Sequence, residues 1–392
     1  MEEQHSAYER RHGRRMSVEE AEKAQGVLEV LSGLYFSEPD TVSTFENTAY
    51  WEALAGLKCT DEPLSHRAGV GCRDASKAAD ASIAEATLRS LEAEGNCVIP
   101  CGHQRATAVL LGSAVKKLGE AGWPPAFVLI YDEAWVLVDG LFQAVEPTLG
   151  EDCLMEPDLN CWRLRSFEDS KTGEAYVGCN FAMPHRDMKY DACHVEDRFS
   201  SVSAWTPVNA QGASSKNGAM RVLRVDDDDY YHSPAHAYHA DSETALSFIE
   251  DLQGTAKVLA CDAGDVCLWV PCVVHWGGSV EETASGEETP EPRCSIAATF
   301  RRARAPRSAF GAIADQTDSA GSADEPAAPA ADEGPAPISR FQLARMPLAQ
   351  RLAYVAKALV AYAHWYPTFP GLDVERLRAG SRALEGEGSK AC

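Results

Sequence analysis

His185-Arg186-Asp187, Val273-Val274-His275 and Arg293-Cys294-Ser295-Ile296 are the stretches whose reading decides the fold of this chain. Residues two apart in a strand face the same side, so His185 and Asp187 can both meet one ion while Arg186 points away. Two imidazoles and one carboxylate are the set that grips non-haem Fe(II) on one face and leaves its other positions open. Pro184 suits a strand entrance, and His275 ends an apolar run that brings the second imidazole from another strand. Arg293 opens the next strand and can hold a carboxylate in a two-pronged grip. The pattern points to an iron-dependent oxygenase with a keto-acid co-substrate. A lone H-x-D spacing is weak, because it arises often by chance. Here every piece lies in strand-like sequence.

Outward from these pieces the texture stays β-like. Phe127-Val128-Leu129-Ile130 reads as a buried strand. Short runs follow at Trp162 to Phe167, Tyr176 to Phe181, Val202 to Val208, Ala219 to Val225, Lys257 to Ala260, Val266 to Val270 and Ser295 to Phe300. Short strands parted by turn residues read as a sandwich or jelly roll, which gathers side chains from distant strands around one cavity. Asp262-Ala263-Gly264-Asp265 reads as the turn opening the His275 strand. Trp276-Gly277-Gly278-Ser279 reads as the loop after it, its glycines allowing close approach of a ligand.

Helical patterns flank this region. Ser17-Val18-Glu19-Glu20 is a capping box followed by Val27, Leu28, Leu31 and Leu34 at helical spacing. Residues around Trp51 to Arg73 show no clean period and read as loop. A helix is expected from Ser76 to Glu94 with Ile83, Ala84, Leu88 and Leu91 buried, stopped by Gly95. Cys97-Val98-Ile99-Pro100 reads as a strand, and a further helix spans Gln104 to Leu118. Gly311 to Ile338 is rich in Ala, Asp, Glu, Gly and Pro and reads as a flexible linker. Pro347 suits a first helical turn, and Leu348, Leu352, Val355, Leu359 and Ala363 mark an amphipathic helix packing back on the main domain. The expected organisation is thus an N-terminal extension over 1–75, a catalytic domain over 76–310, a linker over 311–338 and a C-terminal helix and tail over 339–392.

The 392 residues carry a net charge of −23. So acidic a chain is not steered toward phosphate backbones, which disfavours nucleic acid as a partner. Arg301, Arg302 and Arg304 cluster after one strand and read as a solvated strand end. Met1 to Arg15 lacks the apolar run of a signal peptide, and no apolar stretch approaches membrane-spanning length. Ser389-Lys390-Ala391-Cys392 is neither a peroxisomal nor a prenylation signal. The expectation is a cytoplasmic protein, monomer or weak oligomer, with a small-molecule substrate. The 13 cysteines read as reduced thiols. Cys97, Cys101 and His103 lack a partner pair at zinc spacing. His232, His236 and His239 follow the acidic run Asp226 to Asp229 and read as an exposed loop near the cavity mouth rather than a second metal site.

Several blocks in order then carry a family resemblance: His185-Arg186-Asp187, Ser203-Ala204-Trp205-Thr206-Pro207, Asn217-Gly218, Ala263-Gly264-Asp265-Val266, His275 and Arg293-Cys294-Ser295-Ile296. Over Ser76 to Arg302 the chain resembles the phytanoyl-CoA dioxygenase family. The resemblance implies a double-stranded β-helix core, jelly-roll and cupin-like, flanked by N-terminal helices and a C-terminal helix. It implies Fe(II) held by His185, Asp187 and His275, and 2-oxoglutarate as co-substrate, with ascorbate as a supporting reductant. It places Arg293 on the distal carboxylate, with Trp205 and Ser279 (or a backbone group of Gly277) beside the co-substrate. Glu281, Glu282, Glu287, Glu288 and Glu291 lengthen the loop before Arg293, which leaves Arg301 or Arg302 as substitutes. The implied reaction hydroxylates an aliphatic C–H of a small molecule or acyl chain and releases succinate and CO2. Asp187 disfavours halogenation, because related halogenases replace this carboxylate to admit chloride. A protein hydroxylase, a nucleic-acid hydroxylase (disfavoured by the charge) and a non-catalytic cupin-like metal-binding protein are the alternatives. The chain has no clear CoA-phosphate cluster.

Overall fold

A computed structural model describes residues 47–60, 81–121, 123–164, 166–168, 175–177, 184–195, 198–233, 254–278, 280, 290–303, 337–344 and 346–361. The helices are α1 (Thr48–Ala55), α2 (Ala81–Glu94), α3 (Arg105–Glu120), α4 (Asp132–Leu149), α5 (Tyr190–Cys193), α6 (Arg340–Leu343) and α7 (Leu348–Ala361). The strands are β1 (Asn96–Ile99), β2 (Leu154–Met155), β3 (Asn160–Arg163), β4 (Ser166–Glu168), β5 (Ala175–Val177), β6 (His194–Val195), β7 (Arg198–Phe199), β8 (Ser201–Pro207), β9 (Met220–Val222), β10 (Lys257–Val258), β11 (Val266–Trp269), β12 (His275–Gly277), β13 (Cys294–Arg301) and β14 (Ile338–Ser339). The expected Ser17 helix and most of the acidic linker and tail lie outside the described residues.

Seven strands form the major sheet in the order β1-β11-β8-β13-β2-β14, with β3 also on β13. A three-stranded minor sheet runs β10-β9-β12, and β4-β5 and β6-β7 are separate pairs. Every pairing is antiparallel. Antiparallel sheets with flanking helices are consistent with a cupin-like architecture.

The two faces of the major sheet differ in chemistry. Val202, Ala204, Leu268, Ile296, Ala298 and Phe300 make one face apolar, and Phe300 meets Phe142 of α4 edge-on at 4.9 Å. The register Thr299↔Ser203 and Ser203↔Trp269, then Ala297↔Trp205 and Trp205↔Cys267, places the alternate residues together on the other face. That face looks toward the minor sheet, since Trp269 lies 5.1 Å from the ring of His275 on β12.

Several expectations need correction. Phe127 to Ile130 belongs to a 3₁₀ helix, Pro125–Ile130, not a strand. Pro125 starts it, and all six residues are buried against α3, α7 and β3. A short apolar run cannot by its period tell a buried strand from a buried helical turn. Helix α4 has no counterpart among the expected elements; its buried residues go almost all round, so no polar face marks it. Trp51 lies not in a loop but in α1, capped by the Asn47 side chain and closed by Gly56 at φ +75°. Trp51 packs on Trp123 and Phe127, so α1 belongs to the core. On α2, Leu91 and Thr87 are buried but Ile83 is exposed. Ile338 forms β14 on β2 and is not linker.

Helix α7 runs over Leu348–Ala361 with Leu348, Leu352, Tyr354, Val355 and Ala358 buried. Gly112 brings α3 against the end of β8: a Cβ there would lie 2.2 Å from the Val208 carbonyl oxygen. Backbone cannot yield as a side-chain tip does, so Gly112→Ala is expected to lower stability by about 1–3 kcal/mol in denaturant unfolding. An unchanged midpoint would show that α3 can lift off the sheet.

Candidate active site

His185 and His275 form an antiparallel bridge, each amide donating to the other's carbonyl at 3.0 and 2.9 Å. The Asp187 amide donates to the Pro271 carbonyl at 2.9 Å. These backbone bonds hold three side chains over one point. Asp187 Oδ1 lies 3.4 Å from His185 Nε2, and Oδ2 lies 3.3 Å from His275 Nε2. One ligand atom from each falls within 4.8 Å of the others, the only such cluster of metal-binding side chains among the described residues. His275 is 3% exposed and Asp187 13%, whereas His185 is 36% exposed, so the cluster opens on the His185 side.

His275 Nδ1 lies 3.1 Å from the Val273 carbonyl, which can only accept, so Nδ1 carries the proton. That leaves the Nε2 lone pair directed at the cluster, the tautomer a metal ligand needs. Burial opposes charge on Asp187, but the His275 and His185 imidazoles outweigh it and hold the carboxyl well below the usual carboxylate range.

His275 opens β12 rather than ending a strand. The chain leaves the major sheet after Trp269, turns at Pro271 and Cys272, and enters the minor sheet. Residues 266–274 look continuous in sequence because both sides of that crossover are buried. The Asp262 to Asp265 turn opens β11, where Asp265 accepts from the Cys101 and Asp262 amides. Gly278 serves its own fold: a Cβ would lie 2.7 Å from the Ala219 carbonyl oxygen. Arg186 does point away. It pairs with Asp228 at 2.7 Å, both side chains 1% exposed, and donates to the Cys272 carbonyl. Burial would raise the Cys272 thiol, but hydrogen bonds from Cys193, His194 and Tyr231 bring it down to about 5.

Arg293 is 3% exposed and lies over Trp205, 5.5 Å from the ring centroid. Its backbone is clamped from both sides, the amide on the Asn217 carbonyl and the carbonyl on the Leu164 amide. Its Nη1 contacts Met220 Sδ at 3.0 Å, its Nε has no partner, and no carboxylate among the described residues pairs with it. Burial pushes the guanidinium down to about 10, which still leaves it charged at neutral pH. The proposed substitutes are committed elsewhere. Arg301 pairs with Glu156 at 2.5 Å. Arg302 caps the end of α4, donating to the Thr148 and Leu149 carbonyls at 2.7 and 3.0 Å. Neither is the solvated strand end that sequence suggests.

Ser279, His236 and His239 lie outside the described residues. His232 is exposed and packs edge-on against Tyr190 and Tyr231. Sequence reading missed Asn160, Ser203, Trp269 and Ser295; Asn160 Nδ2, Ser203 Oγ, Trp269 Nε1 and Ser295 Oγ are buried without partners on the inner face. In Ser201-Val202-Ser203-Ala204-Trp205 alternation reads as one wet face and one dry face; here both faces are buried.

No protein-family model matches the chain, and no curated protein matches it. Solved structures do. The epimerase SnoN in complex with Fe3+, alpha ketoglutarate and nogalamycin RO is 14% identical, with a TM-score of 0.40 over 64% of this chain and 94% of that one. HygX from Streptomyces hygroscopicus with nickel and 2-oxoglutarate bound is 13% identical, with a TM-score of 0.38 over 56% and 87%. The non-heme monooxygenase ThoJ in its nickel complex is 16% identical, with a TM-score of 0.35 over 57% and 78%. Values of this size carry nothing across, and the function is read from the chain's own residues. Among the described residues no helix is long and apolar enough to cross a membrane.

Proposed function

We propose that this chain is an Fe(II)- and 2-oxoglutarate-dependent oxygenase that hydroxylates an aliphatic C–H and releases succinate and CO2. One observation carries the reading: the buried, charged Arg293, with no carboxylate partner among the described residues, touches Met220, which faces the same side of the minor sheet as His275 of the cluster. An unpaired buried cation is costly unless an anion arrives to meet it. The two-histidine, one-carboxylate set suits Fe(II). The order of the sequence blocks keeps the phytanoyl-CoA dioxygenase family as the finer reading, with its double-stranded β-helix.

In this reading His185, Asp187 and His275 hold the iron and Arg293 grips the distal carboxylate of the keto-acid. When bound, iron and keto-acid supply an oxidant strong enough to attack an unactivated C–H. The chain's own part is to bind, orient and exclude. The Trp205 ring lies under the guanidinium and attracts its charge. The Val273 carbonyl fixes the His275 ring. Burial of Asp187 and His275 limits water at the reacting centre. Ser279 is retained as a proposed co-substrate contact.

The test is succinate formation from 2-oxoglutarate with Fe(II) and ascorbate. Protein that loads iron but never consumes the keto-acid, alone or with candidate substrates, would refute the reading. Arg293→Ala is expected to weaken 2-oxoglutarate binding by about 2–5 kcal/mol, roughly 30-fold to over 1,000-fold in Kd. Arg293→Lys should recover only part, since the ammonium lacks the planar fork. A wild-type Kd in Arg293→Ala, measured by calorimetry on iron-loaded protein, would remove Arg293 from the site.

A further inference from the structure

The inner face of the major sheet is polar where a stable core would be apolar. Beyond the Arg293 end, one register row holds Thr299, Ser203 and Trp269. Ser203 is 4% exposed and its Oγ has no partner; Trp269 is 4% exposed and its Nε1–H has no acceptor. Both project to the side on which Trp269 meets His275. Asp158 closes the row, accepting the Thr299 amide at 2.9 Å. Its carboxyl is partly accessible, as is that of Asp187. Burial pushes the Asp158 carboxyl up to about 7, against the Thr299 hydrogen bonds, and the Asp187 charge adds to the rise. Each orphaned polar group costs folding free energy unless something meets it.

We propose that Ser203, Trp269 and Asp158 form the subsite for the primary substrate, and that it takes the hydroxyl or amino groups of a polar small molecule rather than the methylenes of an acyl chain. A polar ligand meets both ends of this row, one hydroxyl accepting from Trp269 Nε1 and another donating to Asp158. An amino group donates to Asp158 and Ser203. A methylene chain would leave Ser203 Oγ and Trp269 Nε1 unmet and offer Asp158 nothing, and a site with unmet buried polar groups rejects such a ligand strongly. The proposal rests on the oxygenase reading above and narrows its substrate.

The experiment uses the full chain loaded with Fe(II) and 2-oxoglutarate, without oxygen, and measures binding by calorimetry and tryptophan fluorescence. The probes are polyols, amino sugars and free amino acids, set against saturated fatty acids. At least one polar probe is expected to bind and, with oxygen admitted, to raise succinate formation, while no fatty acid does. Asp158→Asn, Ser203→Ala and Trp269→Phe should each raise the Kd of that probe by about tenfold, the worth of one buried hydrogen bond, and shift the 2-oxoglutarate Kd far less. Asp158→Asn and Ser203→Ala are nearly isosteric, Trp269→Phe removes the indole N–H together with part of the ring, and each variant is first checked for wild-type unfolding. Preference for fatty acids, no binding by any polar probe, or wild-type probe affinity in all three variants would overturn the proposal. Absence of succinate in every condition would instead overturn the oxygenase reading, and polar-probe binding would still report on the subsite.

Discussion

Asp187→Ala is expected to weaken Fe(II) binding by more than roughly 100-fold, the upper cost of losing even an outer partner of a metal ligand. Asp187 brings the only carboxylate to the cluster, with an oxygen 3.3–3.4 Å from each imidazole nitrogen. Without it, two neutral imidazoles face the ion and nothing offsets its charge. The fold should survive, because the backbone bridge between His185 and His275 and the Asp187 amide bond to Pro271 do not involve the side chain. Iron content after desalting, with calorimetric Fe(II) titration, reads the effect; Asp187→Asn separates lost charge from lost volume. Unchanged iron affinity in either variant would refute the ligand assignment and with it the oxygenase.

The largest stability effect is expected at the other end of the chain. Arg351→Ala should cost about 3–5 kcal/mol in denaturant unfolding, because it strands a buried carboxylate. Arg351 and Asp132 are both fully buried, paired at 2.5 Å. Arg351 also donates to the Ile130 carbonyl at 2.9 Å and the Met346 carbonyl at 3.1 Å. Asp132 in turn accepts the Thr60 amide and hydroxyl at 3.1 and 2.9 Å. One pair thus ties the segment after α1, the start of α4 and helix α7. The double variant Arg351→Met with Asp132→Leu should recover part of the loss, since it leaves no unpaired charge. Additive losses in the double variant would show that the residues act separately. The effect reaches the site through packing: α7 covers the 3₁₀ turn, and that turn packs on β3, which carries Asn160.

Much of the site was legible because a strand's period of two is a local rule. His185 and Asp187 at that spacing read as one side of a strand; the structure makes only a bridge at His185 and a bend at Asp187, yet keeps both side chains on one point. Gly95 stops α2 at φ +73° as a glycine there should. Other features have no local signature. Helix α4 is buried nearly all round, so no periodic face betrays it. Arg301 and Arg302 look like Arg293 in sequence, and only their partners distinguish them: Glu156 for one, the end of α4 for the other.

By its order of side chains alone, the sequence determined that two imidazoles, a carboxylate and an arginine were available in a β-rich chain. The tertiary structure decided the rest. It carried the chain across from β11 to β12, so that His275 bridges His185. It left Arg293 as the buried guanidinium without a carboxylate among the described residues. It also buried Ser203, which alternation alone assigns to a wet face, and set it beside Trp269. The reason is physical: side-chain spacing is set within a strand, whereas burial and pairing depend on which strands the sheets bring together.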